Sequence, residues 1–177
     1  DVLQESVKLE GVKFQLDGPD LIDKAVARKL AKLEVFRKIR GSLILNGLIS
    51  IDKDVAAELA KLEGYTYLSL CGLTSIDEGV AKELAKVYGL FLTGLTSIDK
   101  DVAKELANIE GSLEVDGLTL ISKDVAQELV KYEGWLSLSG LTSIDKDVAR
   151  ELGRFKSRKM VVSLLTNSIL DTTQIPR

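Results

Sequence analysis

A single phrase recurs along most of this 177-residue chain, and that recurrence constrains the fold more than any other feature. The stretch "GLTSIDKDVAKELA" at 94–107 returns as "GLTSIDKDVARELG" at 140–153. Aligned on the first glycine, the units follow one another every 22 to 25 residues after a longer first step. Such a period is typical of solenoids, in which each unit buries its apolar side only against its neighbours. The anchoring glycines are Gly18, Gly47, Gly72, Gly94, Gly117 and Gly140.

The residues before each glycine predict a short strand. Apolar side chains stand two and four positions before the glycine, as Leu92 and Leu90 do before Gly94, while the residues beside them vary. This alternation is typical of a strand that buries one face and leaves the other outside.

The residues after each glycine predict a capped amphipathic helix. An Asp or Ser precedes an apolar stripe at helical spacing, with acidic and basic side chains three residues apart on the outer side. We expect the helix to end near Gly111 and its counterparts Gly64, Gly89 and Gly134, where a left-handed cap or tight turn suits glycine. The predicted caps are Asp23, Asp52, Asp77, Asp99, Ser122 and Asp145.

Stacked units of this kind predict an α/β solenoid of about six repeats and seven parallel strands with right-handed connections. Strands lie about 4.8 Å apart, whereas helices need about 8–10 Å. We therefore expect a curved parallel sheet on the concave face and short helices on the convex face.

We interpret residues 1–177 as a single repeat domain. Residues 1–41 form an N-terminal capping repeat whose helix runs to about Lys38, residues 42–157 form the regular repeats, and residues 158–177 form a degenerate last strand and a tail. No amphipathic helix closes the last repeat, which indicates a fragment of a longer array, a disordered tail or an edge used for assembly.

The stretch "LSLCGLTSIDEGVAKELA" at 68–85 resembles the leucine-rich repeat family, and within it the bacterial treponemal-type class with its L-x-L-x(2–3)-L-x-x-I pattern and short helix. The likeness extends over about residues 12–170. The chain departs from the common pattern where a buried asparagine follows the strand, so no asparagine ladder is expected, and it has Val-Ala where that class commonly has Ala-Phe in the helix. The resemblance implies a leucine-rich-repeat solenoid from a bacterial cell surface or a secreted protein. The residues in place of the asparagine are Leu73, Leu95, Leu118 and Leu141.

The composition removes several function classes. The chain has no histidine, which is the commonest general base and metal ligand, and its one cysteine allows no internal disulfide. A net charge of −3 provides no strong field toward nucleic acid or an anionic membrane. No apolar run approaches the roughly 18 residues of a membrane helix. We therefore expect no cofactor, no nucleic-acid partner and no membrane insertion.

The recurring aspartates are the strongest candidates for chemistry. Stacked carboxylates could bind Ca²⁺ or act as an acid–base pair. Capping explains them better, because each has the free amides of its own helix to accept from and Ser122 takes the same place in the fifth unit. We expect neither a metal site nor a catalytic residue.

The residues three and five positions before each glycine differ from unit to unit, and the alternation predicts that they point outward. Tyr67 and Phe91 fall on neighbouring strands, where their rings could touch. Aromatic side chains on a shallow polar sheet are typical of surfaces that bind proteins or glycans; alternatively, such rings simply cover the sheet. The predicted binding residues are Ile44, Tyr67, Ser69, Phe91, Glu114, Trp135 and Ser137.

The sequence thus predicts a non-enzymatic binding or adhesion scaffold that recognises a protein or glycan through its concave sheet face. An alternative is a structural spacer or assembly module that stacks on another chain or domain through its open C-terminal edge. A third reading, an enzyme built on paired carboxylates, requires two acids that converge in a pocket. An ordered column on a convex turn does not supply that arrangement.

Overall fold

A computed structural model describes residues 7–10, 13–16, 21–33, 41–62, 66–155 and 160–162. Within these ranges, strands β2 to β8 form one parallel sheet in chain order, and a helix follows each strand from β2 to β7. This arrangement confirms the predicted α/β solenoid of about six repeats. The strands are β1 (Val7–Glu10), β2 (Lys13–Leu16), β3 (Ser42–Ile44), β4 (Tyr67–Ser69), β5 (Gly89–Phe91), β6 (Ser112–Glu114), β7 (Trp135–Ser137) and β8 (Met160–Val161). The helices are α1 (Lys24–Ala31), α2 (Lys53–Leu59), α3 (Glu78–Leu84), α4 (Lys100–Leu106), α5 (Lys123–Leu129) and α6 (Lys146–Leu152).

Strand β1 is an addition that the repeat did not predict. It pairs antiparallel with β2, from Val7 opposite Leu16 to Glu10 opposite Lys13. Its sequence "VKLE" alternates apolar and charged residues, and only two residues lie between the strands, so a hairpin signal was present. Strand β1 therefore covers the edge of β2 and is itself the first strand of the described sheet.

The parallel strands pair in a register that stacks equivalent residues of successive units. Leu68 lies opposite Leu43 on one side and Leu90 on the other, and the pattern continues through Leu113 and Leu136. All five side chains are completely buried. The helices lie on this side of the sheet, and each contacts the next along the stack. Each unit therefore buries its apolar residues against the units before and after it.

Every described helix begins at a residue whose side chain accepts a hydrogen bond from the backbone N–H three residues later. Asp99, for example, accepts from Val102 at 2.8 Å, and Ser122 accepts from Val125 at 3.3 Å. The aspartate carboxylates thus lie at the positive ends of the helices, where negative charge is stabilised. The residues in this position are the six predicted caps, Asp23, Asp52, Asp77, Asp99, Ser122 and Asp145.

The left-handed cap predicted for the glycines at the helix ends is wrong for Gly89, Gly111 and Gly134, whereas Gly64 lies outside the described residues. Helix α4 ends at Leu106, and its cap Ala107 has ordinary right-handed backbone angles. Gly111 comes later and does not adopt a positive φ; a Cβ there would lie 2.3 Å from the Tyr88 carbonyl oxygen. Gly94 likewise allows the backbone of the preceding unit to approach closely, since a Cβ at Gly94 would lie 2.2 Å from the carbonyl oxygen of Cys71 in that unit. Close stacking of neighbouring units requires these glycines.

The ends of the array are described only in part. Helix α1 ends at Ala31, capped by Lys32, and so does not continue as one helix to Lys38; residues 34–40 lie outside the described part. The predicted last strand begins as β8, which pairs with β7 over two residues. Residues 163–177, with the predicted tail, are outside the described part as well. None of the helices in the described ranges has the length and apolar character needed to cross a membrane.

Candidate binding face

The outward side of strands β3 to β7 is called the sheet face here. It consists of two rows of residues, one from the first and one from the third position of each strand. Five of the predicted binding residues lie on it partly exposed to solvent. They are Ile44, Tyr67, Phe91, Glu114 and Trp135.

Two of the aromatic residues form a pair. The rings of Tyr67 and Phe91 are nearly parallel, with an angle of 4° between their planes and 5.7 Å between their centres. Tyr88 meets the Tyr67 ring edge-on at 5.6 Å. This geometry matches the offset and T-shaped arrangements that aromatic quadrupoles favour.

A glycine makes the aromatic pair possible. Gly89 lies opposite Tyr67 in the strand register, and a Cβ at Gly89 would lie 2.3 Å from Cδ1 of that ring. The Tyr67 ring therefore leans from β4 over the bare backbone of β5, which brings it beside Phe91 two residues further along. The first position of β5 holds glycine because the neighbouring ring occupies the space of its side chain.

Ser69 and Ser137 differ from the other five predicted residues because they are buried, with exposures of 7% and 3%. The Ser69 hydroxyl donates a hydrogen bond to Oδ1 of Asn46 at 2.7 Å, and the Ser137 hydroxyl donates to Oδ1 of Asp116 at 2.6 Å. Both hydroxyls are thus engaged within the fold. A ligand on the sheet face would meet the five partly exposed residues rather than these two hydroxyls.

Asn46 and Asp116 form side-chain brackets between neighbouring units. Besides its serine, Asn46 Oδ1 accepts from the backbone N–H of Cys71 at 3.0 Å, and Asp116 Oδ1 accepts from the backbone N–H of Ser139 at 2.8 Å. The sequence carried a signal for these contacts that was missed. In two places, an Asn or Asp one residue before the glycine is followed in the next unit by Ser-Leu-Cys or Ser-Leu-Ser.

Glu114 occupies the position next to Phe91 on the sheet face. The two residues are register partners on adjacent strands, so their side chains leave the sheet side by side. Partial burial raises the pKa of the Glu114 carboxyl, and the neighbouring carboxylate of Asp116 raises it further. Within the described residues, no lysine or arginine forms an ion pair with Glu114.

Trp135 stands apart from the aromatic pair. It lies at the first position of β7, opposite Ser112, and is three strands away from Tyr67. With strands about 4.8 Å apart, this separation is about 14 Å. The structure therefore brings Tyr67, Phe91 and Glu114 together, and it places Trp135 and Ile44 toward opposite ends of the same face.

The site offers contact surface rather than reactive groups. No cluster of three or more potential metal ligands occurs among the residues that the structure describes. Each capping aspartate already accepts from its own helix, and Asp116 accepts from Ser137 and Ser139. Among the five partly exposed predicted residues, the groups open to a ligand are the aromatic rings, the Ile44 side chain and the carboxyl group of Glu114.

Comparison with known families and proteins produced no match. No protein-family model matches the chain, and no curated protein matches it significantly. The likeness to leucine-rich repeats accordingly remains a resemblance in sequence pattern.

Proposed function

We propose that this chain is a non-enzymatic binding scaffold that recognises a protein or glycan partner through its sheet face. The observation that carries the proposal is the partly exposed aromatic pair of Tyr67 and Phe91, seated over Gly89. Aromatic rings provide large contact areas with little conformational entropy to lose, and they dominate the energetics of many interfaces.

The distribution of sequence variation along the repeat supports the same proposal. Core positions recur from unit to unit because stacking dictates them, as the completely buried Leu68, Leu90 and Leu113 show. The outward positions of β3 to β7 vary between Ser, Ile, Tyr, Gly, Phe, Glu and Trp. Residues that packing leaves undetermined are the ones through which a repeat scaffold can acquire a specific partner.

The experiment compares wild type with the triple variant Tyr67→Ala, Phe91→Ala and Trp135→Ala. Each protein is screened on a glycan array and against a displayed library of short linear peptides. The variant should lose the ligands that wild type captures and should remain folded with a melting temperature only a few degrees lower, since the three side chains are partly exposed and the aromatic contact contributes about 0.5–1.5 kcal/mol.

The matched control changes three exposed residues of α4 instead, as Lys100→Ala, Asp101→Ala and Lys104→Ala. This control should capture the same ligands as wild type. Binding that survives the aromatic triple variant, or that disappears in the helix control, contradicts the assignment of the sheet face.

A second candidate function is a spacer or assembly module that stacks through its C-terminal edge. Its support is β8, the last strand of the described sheet, whose Val161 is 42% exposed, since an edge strand can pair with another chain. Light scattering over a range of concentrations tests it: growth in mass supports assembly, and a constant monomer mass contradicts it.

The resemblance to leucine-rich repeats adds the proposal of adhesion at a bacterial cell surface or by a secreted protein. Fractionation of the producing cells tests that setting, because the chain should be found outside the cytoplasmic fraction.

A further inference from the structure

We propose that the partner is a protein segment that lays the cationic side chain of an arginine or lysine across β5 and β6, in contact with the Phe91 ring and the Glu114 carboxylate. This inference rests on the proposed function and names the chemistry of its ligand. Three features of the sheet face carry it: the free side of the aromatic pair, the placement of Glu114 and the charge of the whole face.

The aromatic pair leaves one side of the Phe91 ring without a stacking partner from Tyr67. Tyr67 belongs to β4, but its ring lies over Gly89 of β5, two residues before Phe91, with 5.7 Å between the ring centres. Tyr67 does not cover the opposite ring face, and Glu114 is the register partner of Phe91 on the adjacent strand β6. A planar or rounded cation is attracted to such a ring face by its negative quadrupole.

Glu114 supplies the second contact at the right distance. Phe91 and Glu114 are direct register partners, so their backbones lie about 4.8 Å apart. A guanidinium or ammonium group above the two strands can therefore touch both side chains at once. Arginine suits this arrangement particularly well because its planar group stacks on a ring and donates to a carboxylate in the same plane.

The charge of the face selects a cation. None of the ten outward residues from β3 to β7, all within the described part, is lysine or arginine. Of the two carboxylates on this side, Asp116 is engaged by Ser137 and Ser139, whereas Glu114 has no ion-pair partner among the described residues. Burial and the neighbouring Asp116 carboxylate both disfavour the charged form of Glu114, and a bound cation would compensate that charge.

The same charge argues against a neutral glycan as the main ligand. A sugar ring could stack on Phe91, but it would cover Glu114 without neutralising it. Covering an uncompensated carboxylate costs free energy. An extended peptide avoids that cost with one cationic side chain and can reach further contacts along the flat sheet.

The test uses a displayed library of short linear peptides, selected on wild type, on Glu114→Gln and on Phe91→Leu. Wild type should enrich peptides that contain arginine or lysine relative to the unselected library. For the best peptide, replacement of its arginine by citrulline should weaken binding by about tenfold or more, since it removes the charge from the hydrogen bonds to Glu114. Glu114→Gln should weaken the arginine peptide by a similar factor and leave the citrulline peptide nearly unchanged.

Glu78→Gln is the matched control, because Glu78 is an exposed glutamate in the first turn of α3 and should not affect binding. Enrichment of uncharged peptides or of glycans that depends on Tyr67 and Phe91 would overturn this inference and leave the proposed function standing. If no selected ligand depends on the aromatic residues, both proposals are wrong.

Discussion

On the helix face, which is the side of the sheet that carries α1 to α6, the buried glutamates form ion pairs with lysine or arginine. On the sheet face, Glu114 forms no ion pair among the described residues. Glu58, Glu128 and Glu151 are each buried and each form an ion pair with a lysine or arginine three residues later. Glu58 also accepts from Arg28 of the preceding helix at 2.9 Å. These three buried carboxylates are thus paired with cationic side chains inside the array.

The difference between the two faces indicates where the chain can interact with something else. A paired carboxylate contributes little to ligand binding, because the ligand must first displace the lysine or arginine that already binds it. An unpaired carboxylate beside an aromatic ring can form an ion pair with a ligand without displacing another group. The following predictions test whether the sheet face is in fact independent of the packing that holds the array together.

The largest effect should come from the buried side of a single strand. Leu113→Ala should lower the free energy of unfolding by about 2–5 kcal/mol, because it leaves a cavity where a completely buried side chain had been. Ser112→Ala, one residue earlier on the outward side, should change it by less than about 0.5 kcal/mol. Urea unfolding measures both. Equal losses for the two variants would mean that the outward row is also part of the core.

A smaller loss is expected from the bracket beneath the sheet face. Asp116→Ala should cost about 1–3 kcal/mol, because it leaves the Ser137 hydroxyl and the Ser139 N–H without their acceptor. Asp116→Asn retains an acceptor oxygen of the same shape and should preserve most of that stability. Thermal and urea unfolding provide the measurement. Identical behaviour of the alanine and asparagine variants would show that the bracket contributes no stability.

The glycine under the aromatic pair should affect stability less than the bracket and binding more. In Gly89→Ala, the new Cβ would collide with the Tyr67 ring and displace it from Phe91, which removes an interaction of about 0.5–1.5 kcal/mol. Near-ultraviolet circular dichroism should show the loss of the ordered tyrosine environment.

Gly79→Ala is the control for that substitution. Gly79 lies in α3, and the equivalent positions of four other helices hold Asp54, Asp101, Asp124 and Asp147, so a side chain fits there. Helix propensity predicts a gain of about 0.5–1 kcal/mol. An unchanged tyrosine signal in Gly89→Ala would contradict the account of the aromatic pair.

The smallest effect, and a pH-dependent one, should come from the ion pairs of the helix face. Hydrogen bonds from Arg28 and Lys61 lower the pKa of Glu58 to about 2, from an ordinary value of 4.5. Because the folded state binds this proton more weakly than the unfolded chain, the pair stabilises the fold above about pH 4.5, and that stabilisation is lost as the pH falls toward about 2. Arg28→Ala should therefore reduce stability near neutral pH and converge on wild type in acid.

Lys24→Ala serves as the matched control, because Lys24 bridges the same two helices to the exposed Asp54. An exposed pair of this kind contributes little, so its removal should hardly change stability at any pH. Urea unfolding of both variants from neutral to acidic pH makes the comparison. A difference between Arg28→Ala and wild type that persists in acid would show that Arg28 acts through packing rather than through charge.

Much of the fold could be predicted from the sequence because neighbouring units face the same packing problem. The leucines at alternate positions, the capping aspartates and the helical stripe each repeat, so chance matches are improbable. Strand β1 was missed because its hairpin lies outside the repeat. The left-handed glycine caps were wrongly predicted because the same residue type serves both for positive φ and for close approach, and spacing along the chain does not separate the two uses.

Less of the candidate site could be predicted. Alternation identified the outward positions, including those of Tyr67 and Phe91, but it did not show that Ser69 and Ser137, at two of these positions, are buried. Those two hydroxyls are buried because Asn46 and Asp116 reach across from the preceding unit. Contacts between units more than twenty residues apart depend on register, which a strand pattern alone does not specify in full.

The sequence by itself determined the repeating architecture: a strand that buries alternate residues, a capped helix and a stack of about six such units. Local periodicity and helix capping involve residues of the same unit, and they can therefore be predicted from the sequence alone. Only the tertiary structure decided that Tyr67 lies over Gly89 against Phe91, with Glu114 on the next strand. That arrangement depends on the register and spacing of three strands, which arise when the units stack.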